Sequence, residues 1–287
     1  MATERAEEAF KRIVSGEKLP RREPKIGYNG AQGVPIREEI LSRHRDVVIT
    51  RNAYGAHCIN TPDVLFADID FNHAPGGRTM MLHVVIFVAG AIGLAVWLHS
   101  GAVAVVASFL AVALAYFASL VTHTTLLKMR GGIEQFARNR IKAFTQRNPD
   151  WNLRIYRTPA GFRVLTMHAI FEPNDPKVTE YFAALGVDKL YAAMCQNQHC
   201  FRARVSPKPW RIGITNHMRP RPGVWPVDES RIEARNGWIR AYEEASKKFA
   251  ACRFVEEIGS SVIHPKAEIV RDLHDRLSQA LSTRNIA

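Results

Sequence analysis

The strongest constraint on this chain is an uncharged apolar stretch that runs from Met80 to Thr122. A helix that crosses the hydrocarbon core of a bilayer needs about 20 mostly apolar residues. The stretch therefore predicts two membrane helices, Met80 to Leu98 and Ala102 to Val121, joined by a turn at residues 99–101. The alternatives are a re-entrant hairpin and a buried soluble hairpin, but a soluble helix seldom stays apolar on every face for so long.

Basic residues lie on both sides of this stretch, with Arg78 before it and Lys128 and Arg130 after it. Because Lys and Arg are retained on the cytoplasmic side of a membrane, we expect both termini in the cytosol. The first 25 residues are charged throughout and have no apolar core, so we expect no cleavable secretory signal. This pattern predicts an integral protein of a bacterial-type inner (cytoplasmic) membrane.

The rest of the 287-residue chain is typical of one soluble domain that the membrane hairpin interrupts. The part before the hairpin is short, and an isolated strand or two would not be stable alone. The predicted organisation is a charged helix and linker at 1–45, the first part of a cytosolic α+β domain at 46–79, a transmembrane hairpin at 80–122, the remainder of that domain at 123–227, and C-terminal helices at 228–287. Within the first segment we expect a loop at 26–35 and a short helix at 35–45. Of the C-terminal helices, the first extends to Ile258 and the last runs from Pro265 to Leu281.

The chain is strongly basic, with 39 Lys and Arg against 27 Asp and Glu and a net charge of +12. This surplus predicts anionic partners: lipid headgroups of the bilayer, nucleotides or nucleic acid. The four cysteines are expected to be reduced thiols in a cytosolic domain. A zinc site is disfavoured because Cys195, His199 and Cys200 lack the paired Cys-x₂-Cys spacing.

A short segment before the hairpin, Val64 to Phe71, predicts a buried strand that ends in Asp68 and Asp70. Side chains alternate along a strand, so both carboxylates lie on one face. Two like charges at the end of an apolar strand are costly unless a cation neutralises them. They are therefore candidate ligands for Mg²⁺ or Mn²⁺, which prefer oxygen donors, or else they pair with nearby arginines.

Downstream of the hairpin, the sequence predicts a helix at 133–147 and then a β-hairpin around a Thr158-Pro159-Ala160-Gly161 turn. Helices at 176–185 and 188–196 precede a strand at 199–205, which places Arg202 and Arg204 on one face. The order strand, helix, hairpin, helix, strand predicts a ferredoxin-like or RRM-like α+β sheet with helices on one face. The candidate phosphate- or nucleotide-binding residues of this layout are Thr158, Gly161, Arg163, Arg202, Arg204 and Lys208.

The segments VLFADIDF, RIYRTPAGFRVLTMH and FRARVSPKPW resemble the archaeo-eukaryotic primase-polymerase superfamily. The resemblance implies an RRM-like fold in which Asp68 and Asp70 hold a metal and catalyse nucleotidyl or phosphoryl transfer. Thr158 and Gly161 match the nucleotide-binding hairpin of that family. The chain departs from the pattern at Arg163, where the family has a histidine, and the strand at 199–205 carries no acidic residue. The whole chain also resembles uncharacterised bacterial two-helix transmembrane proteins.

Three functions are compatible with these residues. The first is a membrane-tethered cytosolic module whose basic face binds phosphate or nucleotide. The second is a metal-dependent nucleotidyl or phosphoryl transferase that uses Asp68 and Asp70, and the third is a membrane glycosyltransferase that uses the same D-x-D pair. The surroundings of the two aspartates distinguish a binding module, in which arginines neutralise them, from an enzyme, in which they are open to a pocket.

Overall fold

The computed structural model describes residues 7, 10–16, 38–71, 75–220 and 225–287. The fold belongs to the α+β class, with long helices and antiparallel four-stranded sheets. In the N-terminal segment, residues 10–14 are helical. The loop expected at 26–35 lies outside the described residues.

The elements follow one another in an order close to the predicted one. The strands are β1 (Glu39–His44), β2 (Val47–Arg51), β3 (His57–Thr61), β4 (Phe66–Asp70), β5 (Asn152–Thr158), β6 (Gly161–Thr166), β7 (Phe201–Arg204), β8 (Phe249–Ala250), β9 (Arg253–Gly259) and β10 (Asn285–Ile286). The numbered helices are α1 (Gly77–Trp97), α2 (Gly101–Met129), α3 (Gly132–Arg147), α4 (Pro176–Leu185), α5 (Lys189–Gln198), α6 (Glu229–Ser246) and α7 (Pro265–Ser278), with a 3₁₀ turn at Pro209–Arg211.

Helices α1 and α2 form the predicted hairpin, and both are long and apolar enough to cross a membrane. Only 11% of the most apolar window of α1 and 18% of that of α2 are buried, which distinguishes them from the core helices of a soluble protein. Ser100 caps the N-terminus of α2, where its hydroxyl accepts a hydrogen bond from the Val103 backbone N–H. The two helices meet through small residues, which allow close approach. The buried residues of this contact are Ala91, Ala95, Ala111, Ala115 and Ser119.

The soluble part contains two four-stranded sheets and a short parallel pair formed by β8 and β10. The first sheet has the order β1-β2-β3-β7 and the second has the order β4-β6-β5-β9. In the second sheet, β4 lies beside the hairpin strand β6, with Asp68 opposite Arg163 and Asp70 opposite Gly161. The sheet therefore places both aspartates beside the β5–β6 hairpin.

The two sheets meet where β4 and β7 face each other. The ferredoxin-like layout places the strand at 201–204 in a ladder with β4, whereas β7 forms its ladder with β3. The hydroxyl of Tyr191 lies 3.0 Å from the Phe66 carbonyl of β4 and 2.9 Å from the Arg202 carbonyl of β7. One tyrosine side chain thus links the edges of the two sheets.

Helices cover both faces of the second sheet. On one face α3 and α4 bury Ile141, Phe144 and Tyr181 in the core, and the guanidinium of Arg138 lies 5.2 Å from the centre of the Phe162 ring. On the other face the ring of His274 in α7 lies 5.3 Å from Phe66 and 4.6 Å from Tyr156. The expectation of helices on one face only is wrong, because Phe66 and Tyr156 supply an apolar surface beside the polar residues.

Two further helix predictions are wrong. The helix expected at 35–45 is replaced by β1, which pairs with β2 and so extends the first sheet. The helix expected to reach Ile258 ends at Ser246, and β9 pairs with β5 instead. Phe254, Val255 and Ile258 favour a strand, and tertiary pairing with a sheet edge prevails over the helical spacing of the preceding residues. The segment 228–287 therefore contains strands as well as helices.

Candidate anion-binding site

Asp68 is neutralised by an ion pair with its cross-strand neighbour Arg163. The Nε and Nη2 atoms of Arg163 donate to the two carboxylate oxygens of Asp68 at 2.7 and 2.9 Å, which is a bidentate pair. A third guanidinium nitrogen, Nη1, donates to the backbone carbonyl of Arg204 at 2.6 Å. Arg163 is 1% exposed, so this pair belongs to the interior of the domain. Burial alone would lower the pKa of Arg163, but the adjacent Asp68 charge raises it, and the side chain stays ionised.

Asp70 differs from Asp68 in that it lies at the exposed end of β4, and no ion pair to it is found within the described part of the chain. Partial desolvation raises the pKa of Asp70, and repulsion by Asp68 and Asp188 raises it further. The positive charges of Lys208 and Arg204 oppose this rise. Asp70 therefore has both acidic neighbours, Asp68 and Asp188, and basic neighbours, Lys208 and Arg204.

The turn residues Thr158 and Gly161 shape the edge of this site. The Thr158 hydroxyl is buried, and it accepts a hydrogen bond from the Gly161 backbone N–H at 3.1 Å. A Cβ atom at Gly161 would lie 1.9 Å from the Ile69 carbonyl oxygen, so only glycine fits there. The hydroxyl of Thr158 is thus engaged in closing the turn.

Arg202 is buried and lies apart from the aspartates. Its Nη2 atom donates to both carboxylate oxygens of Glu38, at 2.8 and 2.6 Å. The same carboxylate accepts from the Thr50 hydroxyl at 2.6 Å. Of the two predicted arginines of β7, Arg202 therefore stabilises the first sheet, and Arg204 remains as a candidate ligand-binding residue.

A basic cluster of Arg204, Lys208 and Arg211 lies at the end of β7. The Nε of Arg204 and the Nη1 of Arg211 are buried and have no hydrogen-bond partner among the described residues. Partial burial lowers the pKa of Lys208, and the neighbouring Arg204 and Arg211 charges lower it further. Burial and then repulsion by Arg204 likewise lower the pKa of Arg211. Asp70 opposes these shifts in the pKa of Lys208 and Arg211, but no ion pair to any of the three basic side chains is found among the described residues.

An aromatic surface adjoins the basic cluster. The Trp210 side chain is 51% exposed, and its ring meets that of Tyr54 edge to face at a centroid distance of 5.3 Å. The ammonium of Lys208 lies 5.3 Å from the centre of the Trp210 ring. Sequence reasoning did not single out Trp210 and Tyr54, because they lie more than 150 positions apart, so only the fold unites them.

Asp188 is an acidic neighbour that sequence reasoning also missed. It caps α5 by accepting from the Tyr191 backbone N–H at 2.9 Å, and its own backbone N–H lies 3.4 Å from the Asp68 carbonyl. The described residues contain no group of three or more His, Cys, Asp or Glu side chains arranged to hold a metal ion. Since Asp68 binds Arg163 and Asp188 caps a helix, Asp70 is the carboxylate of the three that is free to respond to a ligand.

No family model, curated protein or solved structure matches this chain. The resemblance to primase-polymerases therefore remains a prediction.

Proposed function

We propose that this protein is a membrane-tethered α+β module that binds a phosphate-bearing ligand at the Arg204, Lys208 and Arg211 cluster. The observation that carries the proposal is the pair of buried guanidinium N–H groups, on Arg204 and Arg211, that lack a partner in the described part of the chain. A buried donor without an acceptor costs about 1–3 kcal/mol. A bound phosphate oxygen would remove that cost.

The chemistry of the cluster favours phosphate over other anions. Guanidinium groups donate in pairs to phosphate oxygens, and Lys208 adds a compact positive charge. Partial burial and then repulsion by Arg204 and Arg211 already lower the pKa of Lys208, so a dianionic group would stabilise all three side chains at once. The exposed Trp210 ring offers a flat apolar surface beside them, which suits the base of a nucleotide.

The proposed tether is the α1–α2 hairpin in a bacterial-type inner membrane, with both termini cytosolic. Gly77 begins α1 seven positions after Asp70. Seven residues of extended chain span at most about 25 Å, so the cluster near Asp70 lies close to the membrane. The partner would then be any phosphate-bearing molecule at that surface, namely a lipid headgroup, a nucleotide or nucleic acid.

The RRM-like interpretation of the domain is part of this proposal. It is supported by the chain order β4, α3, β5, β6, α4 and β7 and by the neighbours β4-β6-β5. The placement of β7 in the other sheet argues for a binding module derived from such a layout rather than a regular copy of it.

The ion pair between Asp68 and Arg163 weighs against the two enzyme alternatives. Nucleotidyl transfer and D-x-D glycosyl transfer both require Asp68 and Asp70 together as metal ligands. Asp68 would have to give up two charge-assisted hydrogen bonds to a fully buried arginine, which leaves that cation unpaired in the interior. Binding of Mg²⁺ or Mn²⁺ at this pair is therefore the weaker proposal.

Isothermal titration calorimetry of the detergent-solubilised full chain with pyrophosphate tests the binding proposal. Each charge-assisted hydrogen bond contributes about 1.5–3 kcal/mol, so Arg204→Gln/Arg211→Gln should weaken binding about 100-fold or more. Arg147→Gln is the matched control, since the Nε of Arg147 donates to a carbonyl of its own helix at an exposed position. Equal affinities for all three proteins would refute the proposal.

Titration with Mn²⁺ and ATP separates the binding module from the transferase. For the module, Asp70→Asn removes a negative charge next to the basic cluster, so ATP should bind at least as tightly as in the wild type. For the transferase, the same change removes a metal ligand and should abolish Mn²⁺-dependent ATP binding.

A further inference from the structure

Exposed apolar side chains accompany the basic cluster. Leu190, in the first turn of α5, is 81% exposed, and Trp210 is 51% exposed. The start of α5 is held next to β4, because the Asp188 backbone N–H lies 3.4 Å from the Asp68 carbonyl. Leu190, Trp210 and the basic residues are therefore found around the same end of the domain, close to the C-terminal end of β4.

This end of the domain is also where the chain enters the hairpin. Strand β4 ends at Asp70 and α1 begins at Gly77, while α2 ends at Met129 and α3 begins at Gly132. The backbone N–H of Phe71 still donates to the Ala160 carbonyl of the β5–β6 turn, at 2.8 Å. Short connections on both sides of the hairpin thus hold this end of the sheet near the base of the α1–α2 hairpin.

We propose that this end of the domain docks on the bilayer, with the Arg204, Lys208 and Arg211 cluster binding the phosphate of anionic lipid headgroups. Leu190 and Trp210 enter the interface beside them. This inference rests on the proposed function and names its ligand as a lipid.

The physical chemistry of the patch fits a lipid surface. Tryptophan is enriched at the membrane interface, and each Lys or Arg near an anionic surface contributes about 1 kcal/mol. The hairpin keeps the domain at a high effective concentration next to the bilayer, so weak contacts suffice for docking. A nucleotide would use the cations and Trp210, but it has no need of an exposed leucine at the same end.

The test is a fluorescent label on the full chain in vesicles. Leu190→Cys is labelled from outside with the environment-sensitive dye NBD after reconstitution; the native cysteines are all buried. Val262→Cys is the control, since Val262 is 58% exposed and lies beyond β9 at the opposite end of the sheet, where its carbonyl accepts from Asn152. Vesicles contain phosphatidylcholine alone or mixed with phosphatidic acid.

We expect the Leu190 label to shift to the blue and its iodide quenching to fall several-fold when phosphatidic acid is present, whereas the Val262 label stays in water. Arg204→Gln/Arg211→Gln should restore the value seen on phosphatidylcholine, and Arg147→Gln should not. Equal quenching on both lipids, or protection that persists in the double variant, would overturn the inference.

The calorimetry described above keeps the two proposals distinguishable. If pyrophosphate binding depends on Arg204 and Arg211 but the Leu190 label stays exposed to iodide, the lipid inference is wrong and the proposed function stands. If neither measurement depends on these arginines, both are wrong. If ATP binds far more tightly than pyrophosphate and Trp210→Leu removes the difference, the ligand is a nucleotide and the lipid inference is overturned.

Discussion

The two groups of charged residues at the junction of the sheets have opposite arrangements. In the interior, Arg163 binds Asp68 at 2.7 Å and Arg202 binds Glu38 at 2.6 Å, so each has an acidic partner. At the end of β7, only a few positions away, Arg204 and Arg211 each carry a buried N–H group with no partner among the described residues. Arginines that look equivalent in the sequence therefore have different roles.

Pairing with an acidic side chain thus separates structural charges from candidate ligand-binding charges. A buried ion pair is costly to break because one charge then remains in the interior without compensation. Positive groups without an acidic partner are instead stabilised when an anion binds to them. Substitutions in the two groups should therefore affect different measurements.

The largest expected effect is the loss of domain stability when the ion pair between Arg163 and Asp68 is broken. Arg163→Met leaves Asp68 without its partner and should lower the free energy of unfolding of the soluble domain by about 3–5 kcal/mol. Urea unfolding in detergent, followed by circular dichroism, measures it. Arg147→Met is the control and should stay within about 0.5 kcal/mol of the wild type. If Arg163→Met lowers the free energy of unfolding only slightly, Asp68 is solvated and free to bind a cation.

A smaller effect is expected at the link between the sheets. Tyr191→Phe removes the hydroxyl that lies between the Phe66 and Arg202 carbonyls, and it should cost about 1–2 kcal/mol. The same unfolding experiment measures this change. Tyr116→Phe is a suitable control, because Tyr116 is 49% exposed on the hairpin. If Tyr191→Phe is neutral, the tyrosine hydroxyl does not hold the sheets together, and the remaining contacts, such as that of Arg163 with the Arg204 carbonyl, suffice.

In the basic cluster, a substitution should weaken ligand binding without lowering the free energy of unfolding. Arg211→Gln removes one of three mutually repelling charges, so the free energy of unfolding should change by no more than about 0.5 kcal/mol or rise. Pyrophosphate binding should nevertheless weaken. A variant that loses stability as strongly as Arg163→Met would show that Arg211 is a structural residue, and the comparison would fail.

The smallest expected effect is the pH dependence that Asp70 contributes. Because folding raises its pKa above the ordinary 3.8, the folded state binds this proton more tightly than the unfolded state. The wild type should therefore lose stability as the pH rises from 3.8 through the raised value. Asp70→Asn removes this loss, so the variant should gain stability relative to the wild type with rising pH and match it below pH 3.8. Thermal unfolding across this pH range measures the difference, and a constant offset would contradict it.

Local patterns in the sequence predicted much of the fold. The apolar hairpin, the β5–β6 hairpin and the helix at 176–185 depend on period, turn residues and caps, which act over a few positions. The prediction failed at β1 and β9, which form because sheet edges far away in sequence accept them. Strand pairing of this kind leaves little trace in a short window.

In the candidate site, too, local patterns were predictable and contacts between distant segments were not. The predicted sheet layout put the strand of Asp68 and Asp70 beside the hairpin, and the register of β4 and β6 shows which residues are opposite each other: Asp68 and Arg163, and Asp70 and Gly161. The sequence could not tell which arginine is paired, because Glu38 and Arg202 lie 164 positions apart. It also could not reveal that Trp210 meets Tyr54.

Two apolar helices in a hairpin, an α+β class and a basic balance of charge are all readable from the amino-acid sequence. These properties follow from composition and period, which are local. Only the tertiary structure decided which charges are neutralised, since an ion pair requires two side chains within a few ångströms whatever their separation along the chain. The buried N–H groups of Arg204 and Arg211, on which the proposed function depends, have no partner among the described residues, whereas the fold pairs Arg163 and Arg202 with acidic side chains.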